Sequence, residues 1–189
     1  MSLPMADKIK AELIENFLVL WNPEEGSQLY KLGFYGKPIG IPKPKSPEFD
    51  VPLMLDLMEG LYLARKGLIE VFEGPNKSKV KLRNLRSRAR KLYDNFDHKF
   101  AVYRDLREKE LVVTPGIKFG CDFAVYKRGP GIDHAPFMVS VKSRREEMTA
   151  TEIVKAGRLA TTVRKRFIVA VPDLDKERIE YLIFRWFKA

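Results

Sequence analysis

The stretch that decides the fold opens with Pro136-Phe-Met-Val-Ser-Val-Lys142, continues through Thr149-Ala-Thr-Glu152 and closes with Phe167-Ile-Val-Ala-Val171. Its first and last pieces are short apolar runs rich in β-branched residues, which read as strands. Between them Thr149 and Glu152 form a capping-box pattern, in which a hydroxyl and a carboxylate answer the exposed amides of a first helical turn. The spacing that follows predicts a helix burying Ile153, Ala156, Ala160 and Val163 at intervals of three and four. Strand, helix and strand in this order predict a crossover unit within a mixed sheet.

Upstream, Ile117-Lys-Phe-Gly-Cys-Asp-Phe-Ala-Val-Tyr126 alternates, with Phe119, Cys121, Phe123 and Val125 on one face and Asp122, Ala124 and Tyr126 on the other. The turn Gly129-Pro-Gly131 then leads into the strand at 136–142, so the two runs predict a hairpin with Tyr126 and His134 at the same end. Residues 100–109 read as a helix and Leu111-Val-Val113 as a strand.

The first half reads as a mixed α/β module. Residues 7–17 predict a short amphipathic helix, Tyr30-Lys-Leu-Gly-Phe-Tyr35 a strand running into a turn at Gly36, and residues 53–66 a helix stopped by Gly67. Three prolines between residues 39 and 47 predict an extended connector, and Leu68-Ile-Glu-Val-Phe72 a further strand. A basic helical stretch over residues 78–97 carries Lys79, Lys81, Arg83, Arg86, Arg88, Arg90 and Lys91. We set the domain boundary there, between 1–93 and 94–189. Its cations read either as a solvated face or as an RNA-facing surface.

At 189 residues with 45% hydrophobic content, the chain can bury the core of two small domains. A formal net charge of +10 points to an anionic partner, whether nucleic acid, acidic protein or lipid surface. The apolar runs are too short to cross a bilayer, and Met1-Ser-Leu-Pro-Met5 has no basic segment ahead of an apolar one. The lone Cys121 has no internal disulfide partner, and one thiol with two histidines offers little to zinc. The expectation is a cytoplasmic protein with no membrane partner, no metal and no cofactor. Against this background Tyr126, His134 and Lys165 stand out, because a phenol, an imidazole and an ammonium can together cleave RNA without a metal. His98 reads as structural.

At these residues the chain resembles the archaeal tRNA-splicing endonucleases, which cut introns out of precursor tRNA. The resemblance is carried by Tyr103-Arg-Asp-Leu-Arg107, by Val113-Thr-Pro-Gly-Ile-Lys-Phe-Gly-Cys-Asp-Phe-Ala-Val-Tyr126, by Arg128-Gly-Pro-Gly131 with His134-Ala-Pro136, and by Arg158-Leu-Ala160 through Arg164-Lys165. Met58-Glu-Gly-Leu-Tyr-Leu63 with Gly67 is similar to the family's N-terminal domain. The resemblance implies a small N-terminal α/β domain and a C-terminal restriction-endonuclease-like domain, whose central mixed sheet is flanked by helices.

It also implies roles. Tyr126 would be the base on the 2′-hydroxyl, His134 the acid for the leaving 5′-oxygen, and Lys165 the stabiliser of the charged phosphorane. The products would be a 2′,3′-cyclic phosphate and a 5′-hydroxyl, formed without metal at bulge-helix-bulge sites in precursor tRNA. Histidine titrates near neutrality and suits its role. A free phenol titrates near 10, so only about one in a thousand is ionised at pH 7, and Tyr126 needs a nearby cation or acts by orienting the hydroxyl. Arg158 and Arg185 would sandwich an extruded base. Asp173 and Asp175 match an acidic loop that enters a basic pocket on a partner, in a homotetramer or in a heterotetramer with a structural subunit.

Two other readings compete. A metal-dependent restriction-type nuclease would use Asp122 and Lys142, but Ser140 stands where its second carboxylate is required. A non-catalytic structural or RNA-binding subunit would lack the trio that this chain retains.

Overall fold

Alternation, not helical spacing, governs the first structured segment. The computed structural model describes residues 8–162 and 165–184. In it Ile9, Ala11 and Leu13 point inward from strand β1 (Ile9–Ile14), and the chain turns at Glu15 into β2 (Phe17–Leu20). The expected helix over residues 7–17 is therefore a hairpin. Ile9 and Leu13 satisfy a period of two as well as a spacing of four, and buried Ala11 between them settles it for the strand.

The expected strand at residues 30–35 is likewise replaced, by helix α1 (Pro23–Gly33). Asn22 caps it by accepting from the Glu24 amide at 2.9 Å, Pro23 fits the first position where no amide partner is needed, and Glu24 and Glu25 sit at the positive end. Residues 53–66 form two elements. Leu53 and Leu55 are fully buried in strand β4 (Leu53–Asp56), and helix α2 (Leu57–Arg65) begins only at a capping box of Asp56 and Glu59. Gly67 ends this helix with a positive φ of 73°.

The first compact unit, Met1–Asp94, is completed by β3 (Lys37–Pro38), β5 (Ile69–Glu73), β6 (Ser78–Lys79) and helix α3 (Leu82–Leu92). Its sheet runs β3-β4-β2-β1-β5-β6, with β1 and β5 parallel and the other pairs antiparallel. Residues 39–47 form neither helix nor strand, as their prolines require. Helix α3 meets α2 through Leu85 and Ala89, both buried.

The second unit, Asn95–Ala189, contains α4 (Phe96–Glu108), β7 (Val112–Pro115), β8 (Phe123–Tyr126), β9 (Phe137–Val141), α5 (Ala150–Thr162), β10 (Arg166–Asp173) and β11 (Arg178–Phe184). Its sheet order is β11-β10-β9-β8-β7; β9 and β10 are parallel, joined by the α5 crossover, and the other pairs are antiparallel. The Thr149–Glu152 box starts α5 as expected, with the Glu152 amide donating to Thr149 at 3.2 Å.

Two details differ from expectation. The alternating run over residues 117–126 enters the sheet only at Phe123, because a short 3-10 turn (Ile117–Phe119) closes at Gly120 with a left-handed φ of 67°. Helix α5 buries Ala156 against the sheet, whereas Ile153 is 37% exposed; the side chains at 160 and 163 lie outside the described residues.

Both faces of this sheet are covered. On the α4 side, Tyr103 packs against Phe123 with ring centroids 6.0 Å apart. Buried Arg107 donates to the Tyr103 hydroxyl at 3.1 Å and to the Val113 carbonyl at 2.9 Å, which fastens α4 to β7. Asp105 accepts from Tyr181 of β11 at 2.5 Å and pairs with Lys109; burial first, then this carboxylate, pushes the Tyr181 phenol up. On the other side Met138, Phe167 and Val169 pack with Ala156 and Cys121. A fully buried Met138 contributes on the order of 1.5–3 kcal/mol by leaving water. Both units are thus mixed α/β. No helix among the described residues is long and apolar enough to cross a membrane.

Candidate active site

The strand register brings two of the expected side chains level. Val125 of β8 faces Phe137 of β9 in antiparallel pairing, and Arg166 of β10 faces the same Phe137 in parallel pairing. Tyr126 follows Val125 and Lys165 precedes Arg166, so the two flank Pro136 from opposite sides. The Arg166 amide donates to the Pro136 carbonyl at 2.8 Å, which holds the third strand to this level. Two strand spacings separate Tyr126 from Lys165, about 10 Å between backbones, and both side chains lie on the α5 face with Met138. The Lys165 ammonium rests 4.7 Å from the centre of the Phe119 ring, a cation–π contact at the edge of the Cys121–Met138–Phe167 cluster. Burial, then the neighbouring Asp122 charge, pushes the Cys121 thiol up to about 11, so it serves as packing and not as a nucleophile.

His134 arrives from the loop between β8 and β9, at the end of the sheet where Tyr126 leaves it. Its imidazole is exposed, while both neighbours are held: Ala135 is 1% exposed, and Asp133 is locked into the loop. The Asp133 carboxylate accepts from the amides of Lys127 at 3.1 Å, Arg128 at 3.2 Å and Gly129 at 2.9 Å. Desolvation works against this carboxylate, but the three amides and the Arg128 charge outweigh it and leave its pKa lowered. The turn needs Gly129 and Gly131 at φ 138° and 86°, where other residues are strained. Sequence reading missed Asp133, the residue that ties this loop. Its one signal is an acidic side chain closing a Gly-Pro-Gly turn directly before a histidine.

The remaining expected residues divide. Helix α5 ends at Thr162, so Lys165 lies beyond it, before β10, while Arg158 is exposed on the helix. Arg185 lies outside the described residues. Asp173 accepts from Arg144 at 3.0 Å and from the Lys176 amide at 3.2 Å, which leaves Asp175 as the exposed carboxylate of the pair in the β10–β11 turn. Half-buried His98 sits within α4, away from the trio's strand ends.

The residues of the metal-nuclease pattern point apart. Asp122 pairs with Lys99 of α4 at 2.9 Å and accepts from the Val141 amide at 2.7 Å. Lys142 instead pairs with Glu146 at 2.7 Å and Glu152 at 3.3 Å at the start of α5, on the opposite face of the sheet. Among the described residues no three His, Cys, Asp or Glu side chains are grouped to hold a metal ion.

Comparison with known proteins agrees with this geometry. Residues 96–181 match the family model described as tRNA intron endonuclease, catalytic C-terminal domain, and residues 9–86 match that of the tRNA intron endonuclease N-terminal domain. A tRNA-splicing endonuclease of Hyperthermus butylicus is 44% identical over 180 residues, covering 95% of this chain and 99% of its own. Proteins of the same name from Saccharolobus islandicus and Saccharolobus solfataricus are 41% identical over 181 residues, with the same coverage. Both halves and nearly the whole length agree: the chain belongs to the tRNA intron endonuclease family.

Proposed function

We propose that this chain excises introns from precursor tRNA, cutting at bulge-helix-bulge junctions by metal-independent transesterification. The observation that carries the reading is the shared level of Tyr126 and Lys165 on the two neighbours of strand β9, with His134 two residues before that level. The 2′-hydroxyl beside the scissile phosphate attacks phosphorus and passes its proton to Tyr126 in the phenolate form. The bond to the 5′-oxygen breaks, and His134 gives that oxygen a proton. The ends are a 2′,3′-cyclic phosphate and a 5′-hydroxyl. Lys165 stabilises the charge gathering on the phosphorane, a contribution of about 3 kcal/mol by analogy with single oxyanion donors. Exposed Lys127 and Arg128 draw the backbone toward the site, and Arg158 with Arg185 holds an extruded base between guanidinium planes.

An intron-containing precursor transcript, incubated with excess EDTA, tests the chemistry. The expected result is two cuts at the intron ends, 5′-hydroxyls that polynucleotide kinase labels without phosphatase, and terminal cyclic phosphates. Loss of cutting in EDTA, or 5′-phosphate ends, would overturn the metal-independent mechanism.

The active form is a tetramer, either of this chain alone or with a structural subunit, in which the β10–β11 turn enters a basic pocket on a partner. Because Arg144 already holds Asp173, the exposed Asp175 supplies most of the docking charge. Asp175→Ala should shift size-exclusion elution to smaller species nearly as far as Asp173→Ala with Asp175→Ala; an unchanged volume for both rejects the docking role. The buried lone thiol of Cys121 suits a reducing cytoplasm.

A further inference from the structure

Helix α3 departs from the rules its neighbours obey. In α1 and α2 a polar side chain caps the first turn and acids occupy it. In α3 no side chain caps Lys81, the first turn holds Arg83 and no acid, and no acidic residue occurs from 75 to 93. A cation at a helix N-terminus opposes the positive end of the helix dipole. Local rules are broken where function requires it.

The cations are also ordered. At 3.6 residues per turn Arg83, Arg86, Ser87, Arg90 and Lys91 share one stripe, opposite buried Leu85 and Ala89. Arg83 and Arg90 lie about 10 Å apart along the axis. Beside the stripe runs a cleft lined by Glu73, Ser78, Lys79, Asn84, Ser87 and Arg88, in which the one carboxylate, Glu73, is paired to Arg88. In the cleft Lys79 pairs with Glu70 at 2.7 Å and Arg88 with Glu73 at 2.6 Å. The stripe itself carries no carboxylate and no apolar anchor. Protein interfaces gather apolar and aromatic residues at their centre and deplete charge there, whereas phosphate tracks are lined by Arg, Lys and small polar donors.

We propose that the α3 stripe is a second RNA contact, binding the phosphate backbone of structured RNA outside the cleavage site. The proposal rests on the reading that the substrate is RNA. It is tested by Arg83→Gln with Lys91→Gln, leaving Arg86, Arg88 and Arg90 in place, with thermal melting to verify the fold. Filter binding of an intron-containing precursor tRNA and of a plain RNA duplex is followed across salt concentrations. With two cations removed, the slope of log affinity against log salt should become shallower by about 1–2. KM should rise about tenfold, while the single-turnover rate at saturating RNA holds. Restoring Lys91 with Arg83→Lys should return most of the slope. Parallel salt plots for parent and double variant overturn the proposal, as does an unchanged slope with altered size-exclusion elution, which assigns the stripe to a protein partner. A changed slope on the duplex from a parent that cannot cut the precursor keeps the stripe and overturns only the intron-excision reading.

Discussion

Both units contain the same three-strand arrangement, an antiparallel pair sharing a strand with a parallel pair: β2-β1-β5 in the first and β8-β9-β10 in the second. In each, the ends of three strands converge at one corner. In the first unit that corner holds Ile14 and Phe17, with Glu73 paired to Arg88 at 2.6 Å and Arg88 also reaching the Glu15 carbonyl. In the second it holds Tyr126, Lys165 and, one short loop away, His134. One corner is closed by a polar pair that satisfies itself. The other presents a half-buried phenol and an exposed imidazole. Topology therefore brings strand ends together in both units, and the residues at those ends make the two corners different.

The largest expected effect separates the two corners directly. His134→Ala and Tyr126→Phe should each lower the single-turnover cleavage rate by about 10²–10⁴-fold, with RNA affinity retained. Glu73→Gln at the other corner should leave that rate unchanged and cost at most about 1 kcal/mol, because both partners of its ion pair are roughly 40% exposed. A Tyr126→Phe chain cutting at the parent rate would remove the phenol from the mechanism, and a Glu73→Gln chain that stops cutting would erase the contrast between the corners.

The same contrast explains what the sequence made legible. Strands β9 and β10, the capping box of α5 and the return of His134 to the Tyr126 end were readable, because each rests on a run of like residues or a local signal. The errors fall on short elements. Residues 7–17 read as a helix because Ile9 and Leu13 fit both periods, and residues 30–35 read as a strand although Asn22-Pro23-Glu24-Glu25 marks a helix start upstream. Over 53–56, the capping box three residues on was the overlooked boundary. The alternation of 117–126 was real in sequence but broken by Gly120, whose left-handed turn no periodicity reveals. At the candidate site, Tyr126, His134 and Lys165 were legible as chemically capable groups, and the residue aimed at backbone was not. Asp133, aimed at three amides, makes no pattern along the chain.

Asp133 yields the smallest and sharpest expectation. Its carboxylate points away from chemistry and into the loop, so it should act by holding His134 between two fixed neighbours. Asp133→Asn keeps the shape but offers the amides one acceptor oxygen and turns an NH₂ toward the rest. The loop should loosen and the imidazole visit its productive position less often, lowering kcat about tenfold, or 1.4 kcal/mol, with KM unchanged. The sign of the pH dependence follows from the lowered pKa. The carboxylate's contribution to loop order is fully present above the ordinary aspartate value and is lost only as pH falls through the lower folded one. From about pH 5 upward Asp133 stays ionised, so the variant's rate profile should run parallel to the parent's, lower at every pH and with neither limb moved. A displaced limb would instead make Asp133 a member of the proton-transfer chain, and a profile that overlays the parent's would show that the closed loop does not position His134 at all.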